Sequence, residues 1–322
     1  MPEEILPNLY RIEIPLPNSP LKALNSYVIK TPERNMIIDT GMNREECLNA
    51  MLAGLRELAV DLQKTDFFIT HLHADHMGLV SRLASTASTI YFNQPDAEFL
   101  NSPGRWEEMR NFALKNGFPE RELHEALEKH PGYQSRAAGQ RAFRILREGD
   151  EITIGDYIFS CVETPGHTRG HLCLYEPKKK ILISGDHLLA DITPNISLWS
   201  DQENPLSHYL DSLKKVSNFA VELVLPGHRN IFRNCRERIE QLQRHHQTRT
   251  KEVLSILEKG NFNAYQVASR MTWEIAYASW DDFPATQKWF ATGEAIAHLK
   301  YLEEKGRIRK EVKDQKVVFS VK

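Results

Sequence analysis

The chain of 322 residues has few of the features that would mark a specialised class of protein. Its four cysteines form no C-x-x-C pair, which argues against a zinc ribbon and against a disulfide framework. No apolar run approaches the length of a membrane span. The acidic N-terminus MPEEILPNLYRIEIPLP lacks the basic and then apolar pattern of a signal sequence. We therefore expect a cytoplasmic protein with reduced thiols and no membrane partner.

An excess of charge of either sign is also missing. The chain has 41 Lys and Arg against 43 Asp and Glu, a net charge of -2, so bulk electrostatics gives no support for a nucleic-acid partner. The length suggests one large domain and one smaller domain. We predict the first at residues 1–232, interrupted by a charged helical insert at 93–140. Residues 233–322 read as a long helix followed by helix, helix and hairpin, the layout of a winged helix.

Histidine is concentrated in one short stretch, ITHLHADHMG at residues 69–78. It follows the apolar, β-prone run DFFIT, so we expect it in a loop at a strand end. His71 and His73 are two residues apart in extended chain and point the same way, whereas Asp75 and His76 point elsewhere as the chain turns into a helix. The stretch therefore offers half of the ligands for each of two metal ions. Imidazole and carboxylate ligands suit zinc, with iron or manganese as alternatives.

The missing ligands must come from elsewhere in the chain. Three later loops, TPGHTRGH at 164–171, ISGDH at 183–187 and LPGHRN at 225–230, each place a His or an Asp just after a Gly at a strand end. Glycine there lets the backbone turn sharply and approach an ion closely.

The motifs ITHLHADH, TPGHTRGH, SGDH and LPGH, in this order, resemble those of the metallo-β-lactamase superfamily. That resemblance implies a four-layer αββα sandwich with a dinuclear metal site at one edge of two sheets. It implies that His71, His73 and His167 hold one metal, that Asp75, His76 and His228 hold the other, and that Asp186 bridges both. An Asp at 186 resembles the glyoxalase II and ribonuclease Z branches. Asp39 resembles the family's supporting aspartate, which receives a ring N–H of a ligand histidine.

Such a site predicts a hydrolase without a Ser or Cys nucleophile. Two cations lower the pKa of a bridging water towards neutrality and polarise the oxygen of the substrate, so the hydroxide is the expected nucleophile. Asp75 is the candidate catalytic residue that orients this hydroxide or passes a proton to the leaving group. We expect a small acyl substrate, a thioester, ester or lactone, bound in part by Trp199, Trp280, Arg169 and Arg229.

Several questions stay open at this point. The main alternative is a phosphodiesterase or ribonuclease that holds nucleic acid with its basic C-terminal end, RIRKEVKDQKVVFSVK. Residues 251–322 are close to neutral, however, which favours a packing role for the winged helix. A non-catalytic metal-binding module is the third reading. The identity of the metal and the oligomeric state, a homo-oligomer included, are not determined by the sequence.

Overall fold

A computed structural model of the chain describes residues 1–17, 19–134, 142–274 and 277–322. Residues 135–140 of the predicted insert lie outside the described residues. The chain divides into two compact units that are each discontinuous in sequence. The first comprises Met1–Asn101, Ser135–Pro194 and Ser212–Ile239, and the second comprises Ser102–Gln134, Asn195–Asp211 and Glu240–Lys322. The predicted domains were continuous on either side of residue 232, and that division stays a prediction.

The first unit contains two β-sheets. The strands of the seven-stranded sheet lie in chain order. Neighbouring strands are antiparallel from β1 to β4 and parallel from β4 to β7. The seven strands are β1 (Glu3–Leu6), β2 (Leu9–Pro15), β3 (Ala23–Ile29), β4 (Asn35–Ile38), β5 (Thr65–Phe68), β6 (Ile90–Asn93) and β7 (Arg144–Leu146). The second sheet has the order β12-β11-β10-β9-β8 and is antiparallel except for the β11–β12 pair: β8 (Glu151–Ile154), β9 (Tyr157–Glu163), β10 (Leu172–Glu176), β11 (Ile181–Gly185) and β12 (Leu223–Pro226).

The alternation of side chains along a strand builds two hydrophobic cores in this unit. Tyr27 and Ile29 of β3 face the core that is shared with β9, β10 and β11 of the other sheet. Val28, between them, faces the opposite core, which contains Met51 and Leu55 of helix α1 (Glu45–Glu57). Three further helices of this unit are α2 (Ala74–Met77), α3 (Val80–Leu83) and α4 (Gln94–Asn101). Helix and two facing sheets confirm the predicted mixed α/β fold class.

The second unit is mainly helical. It contains α5 (Arg105–Lys115), α6 (Glu120–Lys129), α7 (Pro131–Gln134), α10 (Ala264–Ala268), α11 (Ala285–Glu304) and a hairpin of β13 (Ile308–Lys313) and β14 (Lys316–Val321). The helices α8 (Pro205–Val216) and α9 (Cys235–Leu257) have residues in both units. Among the described residues, no helix is both long and apolar enough to cross a membrane.

Packing in the second unit links the predicted insert to the C-terminal helices. Lys288 of α11 is 5% exposed and donates to Glu122 Oε1 of α6 over 3.1 Å. Tyr265 of α10 donates its hydroxyl to the other oxygen of the same carboxylate at 2.8 Å. Because a buried lysine is costly unless it is paired, these contacts bind α6, α10 and α11 to one another. The order α10, α11, hairpin is the one predicted at the C-terminal end.

Candidate metal centre

Strand ends position the candidate ligands. His71 and His73 follow β5, His167 follows β9, Asp186 follows β11 and His228 follows β12. Asp75 and His76 lie in α2, which starts directly after His73. The structure brings these side chains together in three overlapping groups in which all candidate ligand atoms lie within 4.8 Å of one another: His71, His73 and His167; His71, His76 and Asp186; Asp75, His76 and His228. The ligand roles of these residues stay a prediction.

In the first of these groups, three imidazole nitrogens converge. His73 Nδ1 lies 3.0 Å from His71 Nε2 and 3.0 Å from His167 Nε2. Burial, followed by the like charge of His167, lowers the pKa of His73 to about 3. Burial also holds the pKa of His71 well below its usual value. Both rings are therefore neutral near pH 7, which is the state in which an imidazole binds a metal ion.

The second group is fixed by hydrogen bonds on the far sides of its rings. His76 Nδ1 lies 2.7 Å from Asp39 Oδ2, and His228 Nδ1 lies 2.7 Å from the carbonyl oxygen of Ala23. Because both acceptors require a donor, each Nδ1 carries a hydrogen, and Nε2 is the ring atom that each histidine can offer to a metal ion once it is deprotonated. The Nε2 atoms of His76 and His228 are 3.3 Å apart. Asp75 Oδ2 lies 3.4 Å from His228 Nε2. The atoms of this group that could bind a metal ion therefore point towards one another.

Asp186 lies between the two groups with one oxygen towards each. Its Oδ2 is 3.5 Å from His167 Nε2. Its Oδ1 is 3.5 Å from His76 Nε2 and 3.6 Å from His228 Nε2, and no described residue gives it a closer hydrogen bond. Burial raises the pKa of Asp186, but the charges of His228 and His76 outweigh burial and hold that pKa well below its usual range. A buried carboxylate oxygen without a hydrogen bond is costly unless a cation neutralises it.

Gly227 leaves the donor atoms beside Asp186 and His76 uncovered. A Cβ added to Gly227 would lie 2.7 Å from Asp186 Oδ1 and 2.8 Å from His76 Cε1, so glycine keeps the donors accessible. The pKa of His76 is lowered by burial but raised, in total well above its usual value, by Asp39 and Asp186. Converging lone pairs, an unsatisfied carboxylate oxygen and an environment that favours positive charge are what divalent cations require. The residues present therefore fit two such ions.

Supporting residues surround the groups. Thr70 donates its hydroxyl to Asp39 Oδ2 at 2.8 Å, and the hydroxyl oxygen lies 2.9 Å from His71 Nδ1. His171 accepts the backbone N–H of Asp186 on Nε2 at 3.1 Å and contacts Thr164 Oγ1 with Nδ1 at 2.8 Å. Asp39 contacts His76, a candidate ligand, and its supporting role stays a prediction.

Sequence reasoning missed Asp96, which is fully buried on α4. Burial raises its pKa to about 6, although hydrogen bonds from Thr168, Gly170 and Leu72 act in the opposite direction. No signal in the chain could have linked this residue to the histidine loops, since those hydrogen-bond donors lie 24 to 74 residues away. A buried carboxylate is identified by its partners in space.

The four residues predicted to contact substrate are placed in different surroundings. Arg169 is exposed, with its guanidinium 5.3 Å from the ring centre of Phe99. Arg229 donates to the carbonyl oxygen of Pro20 at 2.7 Å. Trp199 and Trp280 belong to the second unit, where Trp199 stacks on Trp289 and Trp280 lies against Tyr265 and Phe283. Their substrate roles stay a prediction.

Comparison with known proteins matches the family model described as Metallo-beta-lactamase superfamily to residues 21–228. The chain belongs to the metallo-beta-lactamase superfamily. A second family model, Metallo-beta-lactamase-like, C-terminal domain, matches residues 281–321. The predicted superfamily and the predicted enzyme class, a hydrolase, are both confirmed.

Two curated relatives and one solved structure illustrate the similarity. The probable metallo-hydrolase YqjP of Bacillus subtilis is 26% identical over 282 residues, which covers 83% of this chain and 84% of that protein. The human acyl-coenzyme A thioesterase MBLAC2 is 29% identical over 221 residues, 65% of this chain and 74% of that protein. The crystal structure of a metallo-beta-lactamase family protein from Thermus thermophilus matches with a TM-score of 0.85 at 26% identity, covering 99% of this chain and 100% of that one.

Proposed function

We propose that this protein is a dinuclear metal hydrolase of small acyl compounds, with a thioester as the first candidate substrate. The observation that carries the proposal is the position of Asp186, whose two oxygens face two separate groups of histidine donors. His71, His73 and His167 would hold one ion, Asp75, His76 and His228 the other, and Asp186 both. Zinc is the first candidate, with iron or manganese as alternatives. Two bound cations supply Lewis acidity, which activates water and polarises a carbonyl oxygen.

The residues of this chain do the remaining work. In thioester hydrolysis water adds to the carbonyl carbon, the C–S bond breaks, and the leaving thiolate takes a proton. Asp75 has 13% of its side chain exposed, whereas the side chains of His76 and His228 are fully buried. It is therefore the member of its group most open to water, which supports a role in orienting that water and in passing the proton on.

Two observations favour an acyl substrate over a phosphodiester. One relative, human MBLAC2, is an acyl-coenzyme A thioesterase. The other lies in the C-terminal hairpin, where Lys310 pairs with Asp201, and Arg309 and Lys313 both pair with Glu311. These contacts offset part of the positive charge of the hairpin, which weakens its attraction for a nucleic-acid backbone.

The finer parts of the assignment also belong to this proposal. An Asp at position 186 supports a glyoxalase II-like branch, and α10, α11 and the β13–β14 hairpin support a winged helix that packs rather than binds nucleic acid. A homo-oligomer and a cytoplasmic location stay predictions from the sequence.

Metal analysis and a substrate panel test the proposal together. Protein purified without chelator should contain close to two transition-metal ions per chain. It should hydrolyse acyl-coenzyme A thioesters or lactones faster than bis-p-nitrophenyl phosphate. Faster cleavage of the phosphodiester would favour the nuclease alternative and leave the metal assignment standing. Protein without metal, active in the presence of a chelator, would overturn both parts.

A further inference from the structure

Asp96 lies in the first turn of α4, and its side chain is fully buried. Its backbone N–H donates to Asn93 Oδ1 at 2.7 Å, which caps the helix and fixes the direction of the side chain. A buried carboxylate without a cationic partner is costly unless both of its oxygens accept hydrogen bonds. Asp96 receives those bonds from two loops that carry candidate ligands.

The first loop, residues 70–73, carries His71 and His73. The backbone N–H of Leu72, between these histidines, donates to Asp96 Oδ2 at 3.0 Å. The second loop, residues 164–171, carries His167. Thr168, the next residue, donates its hydroxyl to the same oxygen at 2.8 Å, and the N–H of Gly170 donates to Asp96 Oδ1 at 2.9 Å. One carboxylate therefore joins the two loops that form the first donor group.

The fit between these loops and α4 is close. A Cβ added to Gly170 would lie 1.6 Å from Asn93 Oδ1, so only glycine allows the second loop to approach the start of the helix. One backbone hydrogen bond, from Leu172 N to Thr70 O at 2.9 Å, also joins the strand after the second loop to the first loop. That bond lies at one end of the loops. Asp96 holds their middle, next to the histidines.

We propose that Asp96 is a positioning residue for the first donor group, which fixes the backbones of the two loops so that His71, His73 and His167 converge on one ion. This inference rests on the proposed function. Asp39 holds His76 in position by contacting its imidazole ring. Asp96 would hold the first donor group in position by contacting the two loops and not an imidazole ring.

The substitution Asp96→Asn tests this because it replaces one carboxylate oxygen by an NH₂ group at nearly the same volume. A carboxylate accepts hydrogen bonds on both oxygens, whereas an amide accepts on one and places an NH₂ group opposite N–H or O–H donors. Depending on which way the amide points, either Gly170 or both Leu72 and Thr168 then lose their acceptor, and the loop concerned must shift. A milder pair of variants is Thr168→Val, which removes one donor, and Thr168→Ser, which keeps the hydroxyl.

The control is Asp66→Asn. Asp66 is also a buried carboxylate of the first unit, 7% exposed, but its partners are Arg34 and the backbone N–H of Thr89, away from the candidate ligands. The variants are compared by competitive chelator titration of both ions, by the visible absorption of the cobalt-substituted protein, and by melting in the presence of a chelator.

We expect Asp96→Asn to lower the affinity for one of the two ions by about 10- to 100-fold and to change the visible absorption spectrum of the cobalt-substituted protein. Thr168→Val should do the same to a smaller extent, while Thr168→Ser and Asp66→Asn should resemble the parent. If Asp96→Asn does not fold, the Thr168 pair decides, and equal affinities of Thr168→Val and Thr168→Ser would overturn the inference.

Other results also count against it. Two ions bound within twofold of the parental affinity in Asp96→Asn would overturn the inference and leave the proposed function intact. An equal loss of both ions in Asp96→Asn and Asp66→Asn would reduce Asp96 to a general structural role. A parent protein that binds no metal would overturn the proposed function and this inference together.

Discussion

Each unit of the protein buries a cluster of histidine and carboxylate side chains. The two clusters differ in the positively charged groups that lie next to their carboxylates. In the second unit, His298 donates from Nδ1 to the carbonyl oxygen of Glu294 at 2.9 Å, and its Nε2 lies 3.3 Å from His246 Nδ1. The Glu294 carboxylate lies 3.6 Å from Arg249 Nε. Arginine is a permanent cation, so that cluster carries its own positive charge.

The cluster in the first unit is formed by seven histidine and aspartate side chains, and the ion pairs of Asp75 and Asp186 given by the described residues are with histidines. His76 Nε2 faces His228 Nε2, and Asp186 Oδ1 has no close donor among the described residues. Among those residues, the groups of three or more His, Cys, Asp or Glu that could hold a metal ion all lie in this unit. The first cluster, which has no permanent cation among these partners, therefore fits a bound metal ion, whereas the second cluster includes the cation of Arg249.

The largest effect is expected from removing the shared carboxylate. Asp186→Ala should lower the occupancy of both ions and reduce turnover by more than about 100-fold, since each oxygen serves one group. The matched variant Glu294→Gln removes a buried carboxylate of the second unit and should lower the melting temperature while both ions are retained. Metal analysis and kinetics of the two variants check this. Loss of metal in both variants would erase the difference between the clusters.

A smaller effect is expected at the aspartate that holds His76. Asp39→Asn keeps one acceptor but weakens the hold on the His76 ring, so the affinity of the second group should fall by about 10- to 100-fold. The other ion should stay bound. Chelator titration of Asp39→Asn beside Asp96→Asn measures the two groups separately. The same ion lost in both variants would contradict the assignment of one aspartate to each group.

The pH dependence of stability tests the histidines of the second unit. Burial lowers the pKa of His298 to about 4 from the usual 6.5. The unfolded chain therefore binds more protons between these values, so stability is fully present above about pH 6.5 and is lost as the pH falls towards 4. The loss amounts to about 3 kcal/mol at most. In denaturant unfolding with chelator present, His298→Gln should lose less stability between pH 7 and pH 4.5 than the parent. Parallel curves for both would refute this.

The smallest effect is expected at Trp199. Its ring stacks on that of Trp289 with centroids 3.6 Å apart and planes inclined by 11°. Such a pair contributes about 1 kcal/mol beyond burial, so Trp199→Ala should melt a few degrees lower with its metal content unchanged. Trp199→Phe, which keeps an aromatic ring, is the control. If Trp199→Ala raises KM by a larger factor than it lowers kcat, the result would support the predicted contact of Trp199 with substrate. An unchanged melting temperature would argue against a stabilising role of the stacking.

The sequence by itself determined the set of candidate ligands and the class of fold. A strand end and the first turn of a helix are local structures, so the spacing of residues along the chain predicts which side chains they bring together. This applies to His71, His73, Asp75 and His76. His167, Asp186 and His228 were recognisable because each follows a glycine at the end of an apolar strand. Asp39, at the end of β4, was named through its resemblance to the family's supporting aspartate. Confirmation of the superfamily supports this reasoning.

Only the tertiary structure decided what holds these ligands in place. Asp96 carries no motif, and its hydrogen bonds to Leu72, Thr168 and Gly170 exist because β6 brings α4 beside loops that follow other strands. In the same way, the insert helix α6 belongs to a unit with α10 and α11 because Glu122 meets Lys288 and Tyr265. Spacing along the chain specifies contacts over a few residues, whereas contacts between distant segments depend on how strands and helices pack.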